Sequence, residues 1–116
     1  MDVITYGVPI LGVIGSLGAA YTVFAGILKP EKMGVEVNVL KMFGVGELIM
    51  GICWALVIYF LRSETDRAHQ LVFLTTGIYL CNYLVSLAMF KNMGDKLFKY
   101  WGTLSAGALL FYCYWI

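Results

Sequence analysis

The chain has 116 residues, of which 61 % are hydrophobic and 13 % charged. A soluble domain carries roughly 45–50 % apolar and about 25 % charged residues, and one this short has no interior large enough to hide the excess. The composition points to an integral membrane protein, leaves no room for a soluble catalytic domain, and at a net charge of +1 offers no basic face for nucleic acid.

The amino terminus, MDVITYG, has no basic n-region and no small-residue cleavage site. The first apolar run is therefore expected to be a retained span rather than a secretory signal. A bilayer core of about 30 Å takes about 20 helical residues. Four runs reach that length: 3–28, 39–61, 71–90 and 97–116, the last interrupted only by Lys99 near its start. Each is expected to be a helix, because lipid offers no partner to open backbone groups. The runs do not alternate polar and apolar residues, so a β-barrel is excluded. The expected architecture is all-α: one transmembrane domain over 1–116, a four-helix bundle running up-down-up-down.

In the first span, Gly12, Ser16 and Ala20 recur every four residues, as do Gly18, Thr22 and Gly26. Small residues at that spacing let helices approach closely in lipid. They serve either contacts inside the bundle or contacts with another chain. Pro9 lies about one turn into the helix, where a missing N–H costs little and no functional kink is expected. KPEKMG (29–34) ends the span with Pro30 as the stop. GVEVNVL (34–40) alternates like a strand but directly precedes the second span, and is read as an interfacial lead-in.

The second span holds Glu47 within an uncharged run. Burying a carboxylate in a span costs roughly 2.5–3.5 kcal/mol on insertion scales, and such residues face the bundle interior or a cavity. Helical spacing puts Phe43, Glu47, Met50, Gly51 and Trp54 on one face. RSETDRAHQ (62–70) is read as a polar connection, with His69 a solvated loop residue. The third span carries a polar stripe, Thr75, Tyr79, Asn82 and Ser86. KNMGDK (91–96) is the last connection. The fourth span repeats the small-residue pattern with Gly102 and Ala106, and with Thr103 and Gly107.

Aromatic residues cluster at the expected span ends, among them Tyr6, Tyr59, Phe60, Tyr100, Trp101, Tyr112, Tyr114 and Trp115. Trp54 is the exception, near mid-span. Cys53, Cys81 and Cys113 are far apart in apolar runs and read as small buried hydrophobes. Six lysines (29, 32, 41, 91, 96 and 99) flank one side of the spans, against Arg62 and Arg67 on the other. By the positive-inside rule, loops 29–41 and 91–99 face the cytoplasm, matrix or stroma of a bacterial inner membrane or an organelle membrane.

The candidate site is a half-polar, aromatic-lined pocket on Glu47, Trp54, Tyr79 and Asn82, with Thr22, Ser86 and Thr103 at similar depth. Two readings of Glu47 stay open. It is a working group of that pocket, or it is interhelical glue tied to Asn82, Ser86, Lys29 or Lys41. No nucleophile–base pair, phosphate loop or metal-ligand cluster is apparent. No catalytic residue, metal or cofactor is therefore assigned; a quinone or a lipid is what such a pocket would accept.

The stretches FAGILKP (24–30) and GVGELIMGI (44–52), with the four-span layout, resemble the DoxX-like group of small four-helix membrane proteins. That group is similar in its helix-ending Gly-x-x-Lys and in an acidic residue followed by glycine in the second helix. The resemblance covers about half the chain. It implies an accessory role, in some members quinone-linked or redox, and would carry over Glu47 and Lys29. Size and span count are also similar to the small multidrug-resistance transporters. Their membrane glutamate lies in the first helix, however, where this chain has no acidic residue beyond Asp2.

The leading expectation is a non-enzymatic accessory subunit of a larger membrane complex, touching other membrane proteins or a second copy through the first or fourth span. The alternative is a carrier or binder of a small lipophilic molecule or cation, quinone-like or proton-coupled, that uses Glu47. A membrane enzyme ranks third.

Overall fold

The computed structural model describes residues 3–89 and 96–116. Within them lie α1 (Val3–Phe24), α2 (Pro30–Met33), α3 (Val37–Ser63), α4 (Thr65–Met89) and α5 (Lys96–Trp115), and no strand occurs among the described residues. Helices α1, α3 and α4 are long and apolar enough to cross a membrane. The molecule is 44 Å along its longest axis, close to the roughly 40–45 Å of a bilayer with its headgroups. Large apolar side chains such as Leu11, Ile14, Phe73, Leu74 and Leu84 point outward, as lipid contact allows and water would not.

Helix α3 is the centre of the fold. It packs on α1 and on α4, while α5 sits against α4 and touches α1. The first residues of α1, the last turn of α3, the first turns of α4 and the end of α5 meet around one end cavity lined by Thr5, Leu61, Thr65, His69 and Trp115. At the other end, Val23 of α1 and Leu40 of α3 pack together with Leu28 and Leu87.

Helix boundaries differ from the hydropathy runs for identifiable reasons. Helix α1 stops at Phe24 rather than at residue 28 because Gly26 turns left-handed (φ 77°). The Ile27 N–H then bonds the Thr22 carbonyl at 3.0 Å and the Gly26 N–H bonds Val23 at 3.3 Å, the Schellman arrangement. A second left-handed glycine, Gly34 (φ 66°), closes α2. The alternating stretch 34–40 is therefore a three-residue link followed by the first turn of α3.

The polar segment 62–70 is not a loop. Only Glu64 leaves helical geometry (φ −140°, ψ 88°), and α4 starts at once. The segment contains no Gly or Pro, so nothing in it forces a long break. Arg67 pairs with Glu64 at 3.0 Å and lies over the Phe60 ring, 6.0 Å from its centroid. The connection expected at 91–96 lies outside the described residues except for Lys96, which opens α5.

Helix α1 begins at Val3, so Pro9 lies inside it, past the first turn where a missing N–H costs little, and that expectation is corrected. In α1 the N–H of residue 9 would bond the Thr5 carbonyl, and proline has none to give. The Tyr112 hydroxyl of α5 donates to that carbonyl instead. Tyr112 is fully buried, and it joins Trp54, Val57, Val72 and Leu109 in the main core.

Candidate functional site

Glycine sets the distance between α1 and α3. A Cβ on Gly12 would lie 2.6 Å from the Trp54 indole, one on Gly51 2.6 Å from Leu17, and one on Gly44 2.8 Å from Val23. Ser16 and Ala20, one and two turns after Gly12, are buried on the same face. Gly12, Ser16 and Ala20 thus belong to the contact with α3. Gly18 faces away from the chain, and a Cβ added there would meet nothing within 4 Å; Gly26 is the helix cap just described.

Against this face α3 presents Glu47, only 9 % exposed. The Asn82 side chain of α4 donates Nδ2–H to Glu47 Oε1 at 3.4 Å, a long bond, and the Ser16 hydroxyl of α1 adjoins the same carboxyl. Three helices therefore converge on one acid. Among the described residues neither Lys29 nor Lys41 forms an ion pair with it. Ser86 is buried one turn after Asn82, but its hydroxyl donates to the Asn82 carbonyl at 2.7 Å, which fixes the backbone there. Gly46 leaves the space that the Asn82 amide occupies: a Cβ would lie 3.0 Å from Oδ1.

The remaining candidates fall into two other groups. Trp54, 2 % exposed, packs edge-on to Tyr112 at 6.3 Å between ring centroids. It fills the core two turns from Glu47. Tyr79 donates to the Gly102 carbonyl of α5 at 2.8 Å. Tyr83, stacked on Tyr79 at 6.0 Å, donates to the Lys99 carbonyl at 2.9 Å and lies 3.2 Å from the Thr103 hydroxyl. Gly102 is the seat for that ring: a Cβ there would lie 2.1 Å from Tyr83. Thr22 turns back to the Ala19 carbonyl at 2.7 Å, and Ala106 is half-buried on α5. The seven candidates therefore separate into an acid–amide site (Glu47, Asn82, Ser86), a core residue (Trp54) and a contact with α5 (Tyr79, Thr103), with Thr22 bonded within α1 and part of none of them.

Sequence reasoning missed Tyr83, and it read Tyr112 as a span-end aromatic where the structure buries it completely in the core, although both had a signal. Tyr83 sits one turn after Tyr79, and Pro9 leaves a carbonyl in need of a donor. His69 lies within α4, half-buried beside the end cavity of about 430 Å³. Cys113 lies 3.3 Å from the Thr76 hydroxyl, while Cys81 is exposed rather than buried. All three cysteines are free.

On the outer side of α3 and α4 lies an apolar groove of about 780 Å³, walled by Val39, Phe43, Phe73, Ile78 and Val85 with Gly77 at its edge. Asn82 lines it, so the amide that holds Glu47 also borders the groove. No group of three or more His, Cys, Asp and Glu able to hold a metal occurs among the described residues. No family model matches the chain, and no curated protein or solved structure matches it.

Proposed function

We propose that the chain is a four-span, up-down-up-down bundle acting as a non-enzymatic accessory subunit, docking on other membrane proteins through its outer α1 face. The observation that carries this reading is the ledge of Gly15 and Gly18. Both are exposed, a Cβ added at either would stand in open space, and they are flanked by exposed Leu11, Ile14 and Tyr21. A small-residue strip of that kind suits a helix of another protein better than disordered acyl chains. The gathering of helix ends around one cavity supports alternate helix directions. The lysine bias supports loops 29–41 and 91–99 on the cytoplasmic, matrix or stromal side. The resemblance of 24–30 and 44–52 to the DoxX-like group fits an accessory role; Lys29, which it would carry over, stands at the N-cap position of α2 without a side-chain capping bond.

Mild-detergent extraction should recover the chain in a particle far heavier than 12.9 kDa. Gly18→Leu should release it from that particle without altering its own melting. Recovery only as a free monomer sinks the reading.

A second reading is favoured by the link from Glu47 through Asn82 to the groove. The chain then binds or carries a small lipophilic molecule, with Glu47 exchanging a proton or polarising the site. Glu47→Gln keeps the shape and removes the charge; it should abolish binding in a chain that still folds. A change in melting temperature alone would identify the acid as glue.

A further inference from the structure

We infer that α5 is a conditional span: it crosses the bilayer because Tyr79 and Tyr83 of α4 dock it, and it leaves the bilayer when that dock is lost. The inference rests on the four-span reading above and adds to it a conformational device in the last helix.

Three observations carry it. The first is apolarity. With 20 residues α5 is long enough for a bilayer core of about 30 Å. Among the described helices, however, only α1, α3 and α4 are apolar enough to cross on their own composition. Lys96 and Lys99, and then Gly102, Thr103, Ser105 and Gly107, dilute the apolar residues of α5. A helix inserts more weakly as apolar residues give way to charged and polar ones.

The second is the dock. Tyr79 donates to the Gly102 carbonyl at 2.8 Å with the Ser105 hydroxyl beside it, and Tyr83 donates to the Lys99 carbonyl at 2.9 Å. The two acceptors lie one turn apart on α5, so the pair fixes both the depth and the rotation of that helix. Acyl chains offer neither partner. Gly102 lets the Tyr83 ring lie on the α5 backbone, where any Cβ would collide with it.

The third is how the rest of α5 is held. Within 99–116 only Leu109 and Tyr112 are buried, both toward the far end of the helix. The half that carries Lys99 buries no residue among 99–108 and is fastened by the tyrosine pair.

The test places an epitope tag at each end of the full chain and treats sealed bacterial inner-membrane vesicles with protease. Four spans leave both tags on one face of the membrane and three leave them on opposite faces, whichever way the chain is oriented. In the unmodified chain the same-face form should predominate. Gly102→Val makes α5 more apolar but evicts the Tyr83 ring, and the ratio of same-face to opposite-face chains should fall roughly tenfold. Tyr79→Phe/Tyr83→Phe, which leaves α5 itself unaltered, should lower the ratio by a similar factor through the loss of two interhelical hydrogen bonds. Adding Gly107→Leu to Gly102→Val should restore the same-face form, since a Cβ at 107 meets nothing within 4 Å and the new side chain supplies apolar surface alone. An unchanged or higher ratio in either dock variant means that α5 inserts on its own apolarity; the inference is then overturned and the four-span reading stands. Failure of Gly107→Leu to restore the ratio also overturns it, because the loss is then one of folding and not of insertion. Tags on opposite faces in the unmodified chain refute the four-span reading and the inference with it.

Discussion

The α1–α3 seam and the attachment of α5 hold helices together by different physics. Along the seam, glycines on each helix receive large side chains from the other: Gly12 takes Trp54, Gly51 takes Leu17 and Gly44 takes Val23. Affinity there is dispersion at short range, which fails steeply when either surface changes shape. Helix α5 is held by tyrosine hydroxyls on backbone carbonyls: Tyr79 on Gly102, Tyr83 on Lys99, and Tyr112 on Thr5 of α1. Those bonds are directional, and each is lost by removing one oxygen. The difference explains how helices with no buried ion pair among the described residues still specify their partners. Acyl chains compete with van der Waals contact where packing is loose, and they offer a tyrosine hydroxyl no acceptor.

The comparison can be broken at several points, each read as the shift in unfolding free energy in detergent. The largest loss is expected for Trp54→Ala, about 3–5 kcal/mol, since it empties the core that Trp54 shares with Val57, Val72, Leu109 and Tyr112. Gly102→Val should cost about 2–3 kcal/mol by overpacking and by expelling the Tyr83 ring from both of its α5 partners. A smaller result would mean that α5 moves away freely and that the clamp is weak.

Tyr112→Phe should cost about 1–3 kcal/mol, because Pro9 leaves the Thr5 carbonyl no donor within α1. Tyr83→Phe should cost no more than about 1 kcal/mol, the Lys99 carbonyl having the ordinary helical bond in reserve. The double variant Pro9→Ala/Tyr112→Phe sharpens this point. Restoring an N–H at position 9 should recover much of the Tyr112→Phe loss, and full additivity would refute the coupling. At the small end, Arg67→Ala should change stability by less than about 0.5 kcal/mol and less still in salt, since both members of the Glu64 pair are exposed.

Several features are legible in the sequence. The helical character follows from uninterrupted apolar runs, and the two small-residue periods of α1 mark two candidate packing faces, of which the structure buries Gly12, Ser16 and Ala20. The polar stripe of the third span offers Asn82 as a partner for Glu47, though only as one of several, and depth favours Ser86 instead. Other features are not legible. A polar run such as 62–70 reads as a loop by composition, yet helix formers without Gly or Pro extend a helix past the apolar slab. Residues 25–28 are as apolar as a span, yet one left-handed glycine ends the helix before them. The candidate site reads as a single pocket in sequence because Thr22, Ser86 and Thr103 lie at a depth similar to that of Glu47, and because Trp54 and Tyr79 share helix faces with Glu47 and Ser86. Depth says nothing about azimuth, and rotation about the helix axes sends them to separate contacts.

Sequence alone determined that this protein must satisfy its backbone in helices and turn apolar side chains outward, because composition and run length leave no other way to lower the cost of so much exposed hydrocarbon. Only the tertiary structure decided which helices touch. It seated Trp54 on Gly12, brought the α5 hydroxyl of Tyr112 to a carbonyl that Pro9 had left open, and placed Asn82 between an interior acid and an outer groove. The physical reason is that apolarity is a one-dimensional property that any helix face can satisfy in lipid. Close packing and hydrogen bonding depend on the three-dimensional positions of individual atoms.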